Sequence, residues 1–442
     1  MFDLLHASFE KKDTNLYELE QKEGFSKYIL IRSFDTESLK LAILRTTNIE
    51  AVSSKQDDLY KELFNTSISI DELINIINEL YPSVKAKRME EEKHLPAVIK
   101  DFGVVKCGIR NDNMNDVAKA LVRDKSIQTK AELDTKVDDL LEGTIKGYIL
   151  WQYYNQVTND LIEHVINDHT NVIPTLRKIH DVDFFIKLDG KIIPFDLKIT
   201  HISNDFYDMY SKGVILHANK TDDYKCTTND DYCISINGLS ELAQIKSLYK
   251  GIKLSHDLPN VAKQKKADFI ANLKSLGNTE INEIALAISE INELKAYYKQ
   301  VKANYALPNM SDLTRDEMIS YSSTQNKELT DSLINKLLLN RKSCTDSLRN
   351  NRKVLEWWNY KFQGERLFKN NNRFFVFLAY SNSFEDARPL KGNVEDLRDI
   401  INNKLNSISH KSDLNIINYF YDKDRNRRGS YKILSSSAIY IK

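Results

Sequence analysis

Two periodicities divide this chain, one of two residues and one of three to four, and they alternate along its length. The clearest period-two signal runs from Val182 to Leu188 and again from Lys191 to Ile199, on either side of Asp189-Gly190. Asp-Gly between two such runs predicts a two-residue hairpin turn, because a type I′ turn needs positive φ at both central positions. In that register Leu188 pairs with Lys191, and Asp183 falls opposite Asp196. Alternation then sets Asp183, Asp196 and Lys198 on one face, with Phe184, Phe195, Leu197 and Ile199 on the other. Pro194 falls opposite Phe185, where this hairpin does not need its missing N–H. The same register sets Asp181 opposite Lys198, as a salt-bridge partner.

The longer period predicts helices. From Ser69 to Tyr81, Ser69 and Glu72 form a capping box, Ile70, Leu73, Ile74, Ile77 and Leu80 make an apolar stripe, and Pro82 is the stop. The chain is helical from about Ala131 to His169, with a break at Gly143 and Gly147, and Asn155, Asn159 and Glu163 line one polar face. A helical block spans Pro259 to Lys369. Within it Ile281, Ile284, Ile288, Ile291, Leu294, Tyr298 and Val301 predict one amphipathic helix ended by Leu307-Pro308. Further strands are expected over Lys27–Phe34, Gly103–Ile109, Arg373–Tyr380, Leu414–Tyr421 and Tyr431–Ile441, with a helix over Val394–Leu405. The expected organisation is an N-terminal accessory domain (1–125), the first part of an α/β core (126–258), a helical insertion (259–370) and the rest of the core (371–442).

Composition sharpens this picture in two ways. Only 13 Gly and 7 Pro among 442 residues favour long helices over a turn-rich β fold. With 63 acidic and 63 basic residues the net charge is zero, so any phosphate-binding surface must be a local patch. Candidate patches are Lys85, Lys87 and Arg88, the group Arg341, Lys342, Arg349, Arg352 and Lys353, and the loop carrying Lys423, Arg425, Arg427 and Arg428. No apolar run is long enough to span a bilayer, so no membrane partner is expected. The start MFDLLHASFEKKD lacks signal-peptide character. Cys107, Cys226, Cys233 and Cys344 are scattered, which suits reduced thiols in a cytoplasmic protein. Cys226 and Cys233 are too far apart for a CxxC knuckle, and no zinc site is expected there.

Two carboxylates facing each other across strands repel, and a divalent cation between them relieves the repulsion. Mg²⁺ suits this pair, because it prefers carboxylate oxygens and keeps several of its waters. Asp183, followed after the turn by Asp196-Leu197-Lys198, resembles the signature of the PD-(D/E)XK nuclease superfamily, although Val182 stands where the family name has proline. The resemblance implies a restriction-endonuclease-like mixed central sheet flanked by helices. It implies that Asp183 and Asp196 bind Mg²⁺, with the Leu197 carbonyl completing the shell. It further implies that Lys198 orients the attacking water, and that an acid from the preceding helix, Glu163 here, joins the site. His164, His169 and His180 lie nearby without a recognisable partner pattern. The expected function is a Mg²⁺-dependent endonuclease that hydrolyses DNA, of the type II restriction or anti-phage defence kind. Its expected partners are double-stranded DNA and a second copy of the chain, as a homodimer. The alternatives are a non-enzymatic DNA-binding or assembly protein on a nuclease-like scaffold, or a nuclease acting on RNA.

Overall fold

The computed structural model describes residues 1–11, 15–102, 111–260, 264–364 and 368–442. Its strands are β1 (Val172–Ile179), β2 (Val182–Leu188), β3 (Lys191–His201), β4 (Val214–Leu216), β5 (Tyr224–Lys225), β6 (Tyr232–Ser235), β7 (Arg373–Ala379), β8 (Asn415–Tyr421) and β9 (Gly429–Ile441). They form a six-stranded mixed sheet in the order β1-β2-β3-β7-β9-β8 and a three-stranded sheet in the order β4-β6-β5. The chain is therefore a mixed α/β protein.

The hairpin has the expected register. Asp189 and Gly190 both have positive φ, at 48° and 78°, and the ladder runs from Leu188↔Lys191 to Phe184↔Phe195. Beyond Phe195, β3 changes partner. From Asp196 to His201 it pairs in parallel with β7, starting at Asp196↔Arg373. β7 continues in parallel with β9, which pairs antiparallel with β8. Asn372 secures the change of partner. Its carbonyl accepts the Asp196 N–H at 3.0 Å. Its amide donates to the Pro194 carbonyl at 3.2 Å and accepts the Leu434 N–H at 3.1 Å.

Apolar residues cover both faces of this sheet. On one face Phe184, Ile186, Phe195, Ile199 and Val376 pack with Ile162 and Ile166 of the helix Lys146–Asn167 and with Leu397 and Ile401 of the helix Val394–Asn406. On the other face Ile173, Phe185 and Ile192 share a core with N-terminal helices. The chain divides into two compact units, one of residues 1–206, 214–234 and 344–442, the other of residues 207–213 and 235–343. The expected boundary near residue 125 is therefore not a boundary of these units. The core of the N-terminal helices also takes in Ile173, Leu176, Ile179, Val182, Phe185 and Ile192 of β1, β2 and β3.

Three local expectations need correction. Lys27–Phe34 is not a strand: Phe25–Ile31 is a helix that follows Gly24, whose φ is 76°. Tyr28, Ile29, Leu30 and Ile31 are all fully buried, and such a short apolar run carries no period that separates helix from strand. Pro82 does not stop its helix, which runs from Ile70 to Glu92 behind the predicted Ser69–Glu72 capping box. Beyond Pro82, Lys85 pairs with Asp168 at 2.6 Å and Arg88 with Glu163 at 3.9 Å, contacts that hold the second half in place despite the missing rung. The stripe from Ile281 to Val301 forms two helices, Thr279–Ala287 and Ile291–Tyr305, with Ile288 extended between them. The bend lets both helices share a core with Phe269 and Leu273. The strand expected over Gly103–Ile109 lies outside the described residues.

In the second unit, Arg341 is buried and clamps Glu241 from Nε and Nη2 at 3.0 and 2.8 Å. It stacks over Tyr207 at 4.2 Å. Arg341 is therefore a structural cation and does not belong to a surface patch.

Candidate active site

Asp183 enters the site from β2, Asp196 and Lys198 from β3, and Arg373 from β7. The Leu197 N–H donates to Asp183 Oδ2 at 2.6 Å, which ties the first carboxylate to the strand that carries the second. Nearer the turn, the face shared by Asp183 and Asp196 is covered by N-terminal helices over Phe185 and Ile192. The acids sit at the margin of that cover, partly shielded from water.

This shielding sets the electrostatics. Burial raises the Asp183 carboxyl to about 7, and the Asp196 charge adds to the rise; the Leu197 N–H opposes it. Glu163 is raised by burial too, against the nearby cations of Lys178 and Arg88. Lys198 is lowered, first by the protein packed around it and then by the Arg373 charge, with Asp196 acting the other way. Its side chain still has solvent-exposed surface. A lysine that feels the Arg373 and Lys369 cations and the Asp196 carboxylate is an arrangement of the kind found at functional sites.

One step beyond the last paired residues, Phe184↔Phe195, Asp183 lies within electrostatic reach of Asp196, and Asp196 of Lys198. Glu163 lies within electrostatic reach of Asp183. It pairs with Arg88 at 3.9 Å, and the three carboxylates do not form a group within 4.8 Å of one another. Asp181 does not pair with Lys198. It takes a left-handed conformation (φ 62°) in the β1–β2 turn, and its carboxylate meets Lys369 and His180 instead. His169 contacts Asn406 at 3.0 Å.

Arg373 was not singled out from sequence. Its Nε donates to Asp196 Oδ2 at 2.9 Å, its Nη1 reaches Gln363 at 3.2 Å, and its guanidinium lies over the Tyr360 ring at 5.4 Å. One signal could have revealed it: a lone cation opening the buried run RFFVFLAY needs an anionic partner. The polar face of the Glu163 helix also has a purpose that was missed, because Asn155 and Asn159 accept from the buried ammonium of Lys391 at 2.5 and 3.0 Å.

The basic loop between β8 and β9 stacks on aromatic rings. Lys423 lies over Phe362, Arg427 over Phe368 and Arg428 over Phe420. The thiols also differ from expectation: Cys226 and Cys233 form a disulfide, Cys344 is buried, and Cys107 lies outside the described residues. No described helix is long and apolar enough to cross a membrane. Comparison with protein-family models, with curated proteins and with solved structures returned no match.

The donor set suits a hard divalent cation. Asp183 and Asp196 offer carboxylate oxygens from adjacent strands, and the raised Asp183 pKa measures an electrostatic cost that a cation would remove.

Proposed function

We propose that this chain is a Mg²⁺-dependent nuclease that hydrolyses DNA phosphodiester bonds at the Asp183–Asp196–Lys198 site. One observation carries the reading: two carboxylates on neighbouring strands share a partly buried face with a lysine of lowered pKa. The mixed sheet with helices on both faces agrees with the restriction-endonuclease-like fold that the D…DLK pattern implies.

In this reading Asp183 and Asp196 hold the metal, which supplies charge neutralisation at phosphorus and an acidified water. The Lys198 pKa is lowered by burial and by the Arg373 charge, which makes its amine a better partner for that water than an ordinary lysine. As an ammonium, Lys198 stabilises the charge that builds on the phosphate oxygens. Lys178 and Arg88 keep Glu163 beside the site as a third acid. The stacked cations of the β8–β9 loop offer phosphate contacts that position a duplex without reading its bases.

A second reading rests on Arg373. Its ion pair already neutralises Asp196, as expected of a nuclease-like scaffold that binds or assembles without cutting. Plasmid cleavage with Mg²⁺ and with EDTA separates the two readings, and an RNA arm tests the substrate class. Cleavage that needs Mg²⁺ and is lost in both Asp196→Ala and Lys198→Ala supports the nuclease. Equal cutting by Asp196→Ala and the parent would sink it.

A further inference from the structure

The three-stranded sheet is built from strands of three, two and four residues, too short to hold together by pairing alone. Each strand brings one soft or borderline donor to a common point. His217 follows β4, Cys226 follows β5, and Cys233 lies within β6. One imidazole nitrogen and both sulfur atoms lie within 4.8 Å of one another, the only such group of three among the described residues. The order β4-β6-β5 brings these donors together, whereas their spacing along the chain fits no zinc knuckle.

We propose that His217, Cys226 and Cys233 form a zinc site when the Cys226–Cys233 disulfide is reduced. Two thiolates and an imidazole are a standard donor set for zinc. Bond lengths of about 2.3 Å to sulfur and about 2.0 Å to nitrogen put tetrahedral donors roughly 3.5 to 3.8 Å apart. The two sulfur atoms, now bonded to each other, must separate to reach that spacing, and the imidazole nitrogen already lies within 4.8 Å of both. A dithiol reductant gives two electrons and two protons to the disulfide and itself becomes a disulfide. Zinc binding then displaces the two thiol protons into solvent. Water fills the fourth position, because the neighbouring acids are committed: Asp230 to Lys361 at 2.8 Å, and Asp231 to Lys353 at 3.3 Å and the Asn418 N–H at 2.8 Å.

The site keeps these strands cross-linked in both redox states. Oxidised, the link joins β5 to β6. Reduced and metal-bound, it gains β4 through His217. The same Cys226–Cys233 loop also docks on β8, where Asp230 accepts the Phe420 N–H at 3.0 Å, so its closure bears on the edge of the main sheet.

The test uses the full chain, anaerobically, in reduced and oxidised forms, with Zn²⁺ and then Co²⁺ as probes. The reduced chain should retain one zinc after desalting, and its Co²⁺ form should show a thiolate-to-cobalt charge-transfer band with the intense visible bands of four-coordination. The oxidised chain should retain none. Cys344→Ser should behave like the parent, while Cys226→Ser and His217→Ala should lose the metal. A reduced parent that retains no metal, a cobalt spectrum without the thiolate band, or equal retention by the oxidised chain would overturn the proposal. These parent measurements decide the question even if Cys226→Ser fails to fold.

Discussion

Arg373 and Asp196 are cross-strand neighbours in the parallel β3–β7 ladder, and their side chains close the same pair with an Nε–Oδ2 hydrogen bond of 2.9 Å. Asp196 thus has a counter-ion without a metal, while the Asp183 carboxylate accepts the Leu197 N–H and has its pKa raised, first by burial.

Replacing Arg373 with Met should destabilise the fold by roughly 2–4 kcal/mol, because it strands a largely buried carboxylate. Mg²⁺ should recover part of this loss by supplying the missing positive charge. Thermal melts of both proteins with Mg²⁺ and with EDTA check this. An equal Mg²⁺ shift in variant and parent would show that Asp196 is not a metal ligand.

Asp183 makes stability depend on pH with a definite sign. Its folded value of about 7 lies above the ordinary 3.8, so the folded state holds the proton more tightly than the unfolded state. Its contribution to stability is therefore present below about pH 4, falls as pH rises towards 7 and is flat beyond. Asp183→Asn keeps an acceptor for the Leu197 N–H and removes the titration. In EDTA it should melt close to the parent at pH 4 and be more stable at pH 8 by roughly 1–3 kcal/mol. The same variant should be inactive in cleavage.

Cleavage by the parent should rise between about pH 6 and 8, because the metal needs Asp183 deprotonated. A rate profile at saturating and at limiting Mg²⁺ tests this. At limiting metal the rise should be steeper, and a flat profile would remove Asp183 from the metal site.

Glu163→Gln should leave the fold near parental stability, since its contact with Arg88 is long, at 3.9 Å. It should lower cleavage by about tenfold or more at limiting Mg²⁺, the scale expected for loss of a residue supporting a metal site. Unchanged cleavage would leave Glu163 as the partner of Arg88 alone.

Asn372→Ala should cost roughly 2–4 kcal/mol in denaturant unfolding, because one side chain holds Pro194 and Leu434 and also donates to the buried Glu20 carboxylate. A loss below about 0.5 kcal/mol would mean that the β3–β7–β9 junction does not depend on it.

The central hairpin was legible because its information is local. A two-residue turn with φ-restricted chemistry fixes the register, and the register fixes which side chains share a face. Ser69 and Glu72 were legible for the same reason. Arg373 was not, because its partner lies 177 residues away and no local rule links them. The pairing of Asp181 was misread because the ladder ends at Phe184↔Phe195, before the extrapolated pairs. Pro82 shows the converse: a local stop signal was overridden by the ion pairs of Lys85 and Arg88 across to the Glu163 helix and its C-cap. Cys226 and Cys233 looked unrelated in sequence because strand order, not spacing, brings them together.

The change of partner along β3 has a consequence for the order of events during synthesis. The hairpin and its acids leave the ribosome early, but β7 and β9, which complete the second half of β3, follow some 177 residues or more later. Until those strands arrive, Asp196 has neither its Arg373 counter-ion nor the ladder that fixes its direction. The face that carries Asp183, Asp196 and Lys198 is therefore completed late in translation, after Arg373 and β7 have been made.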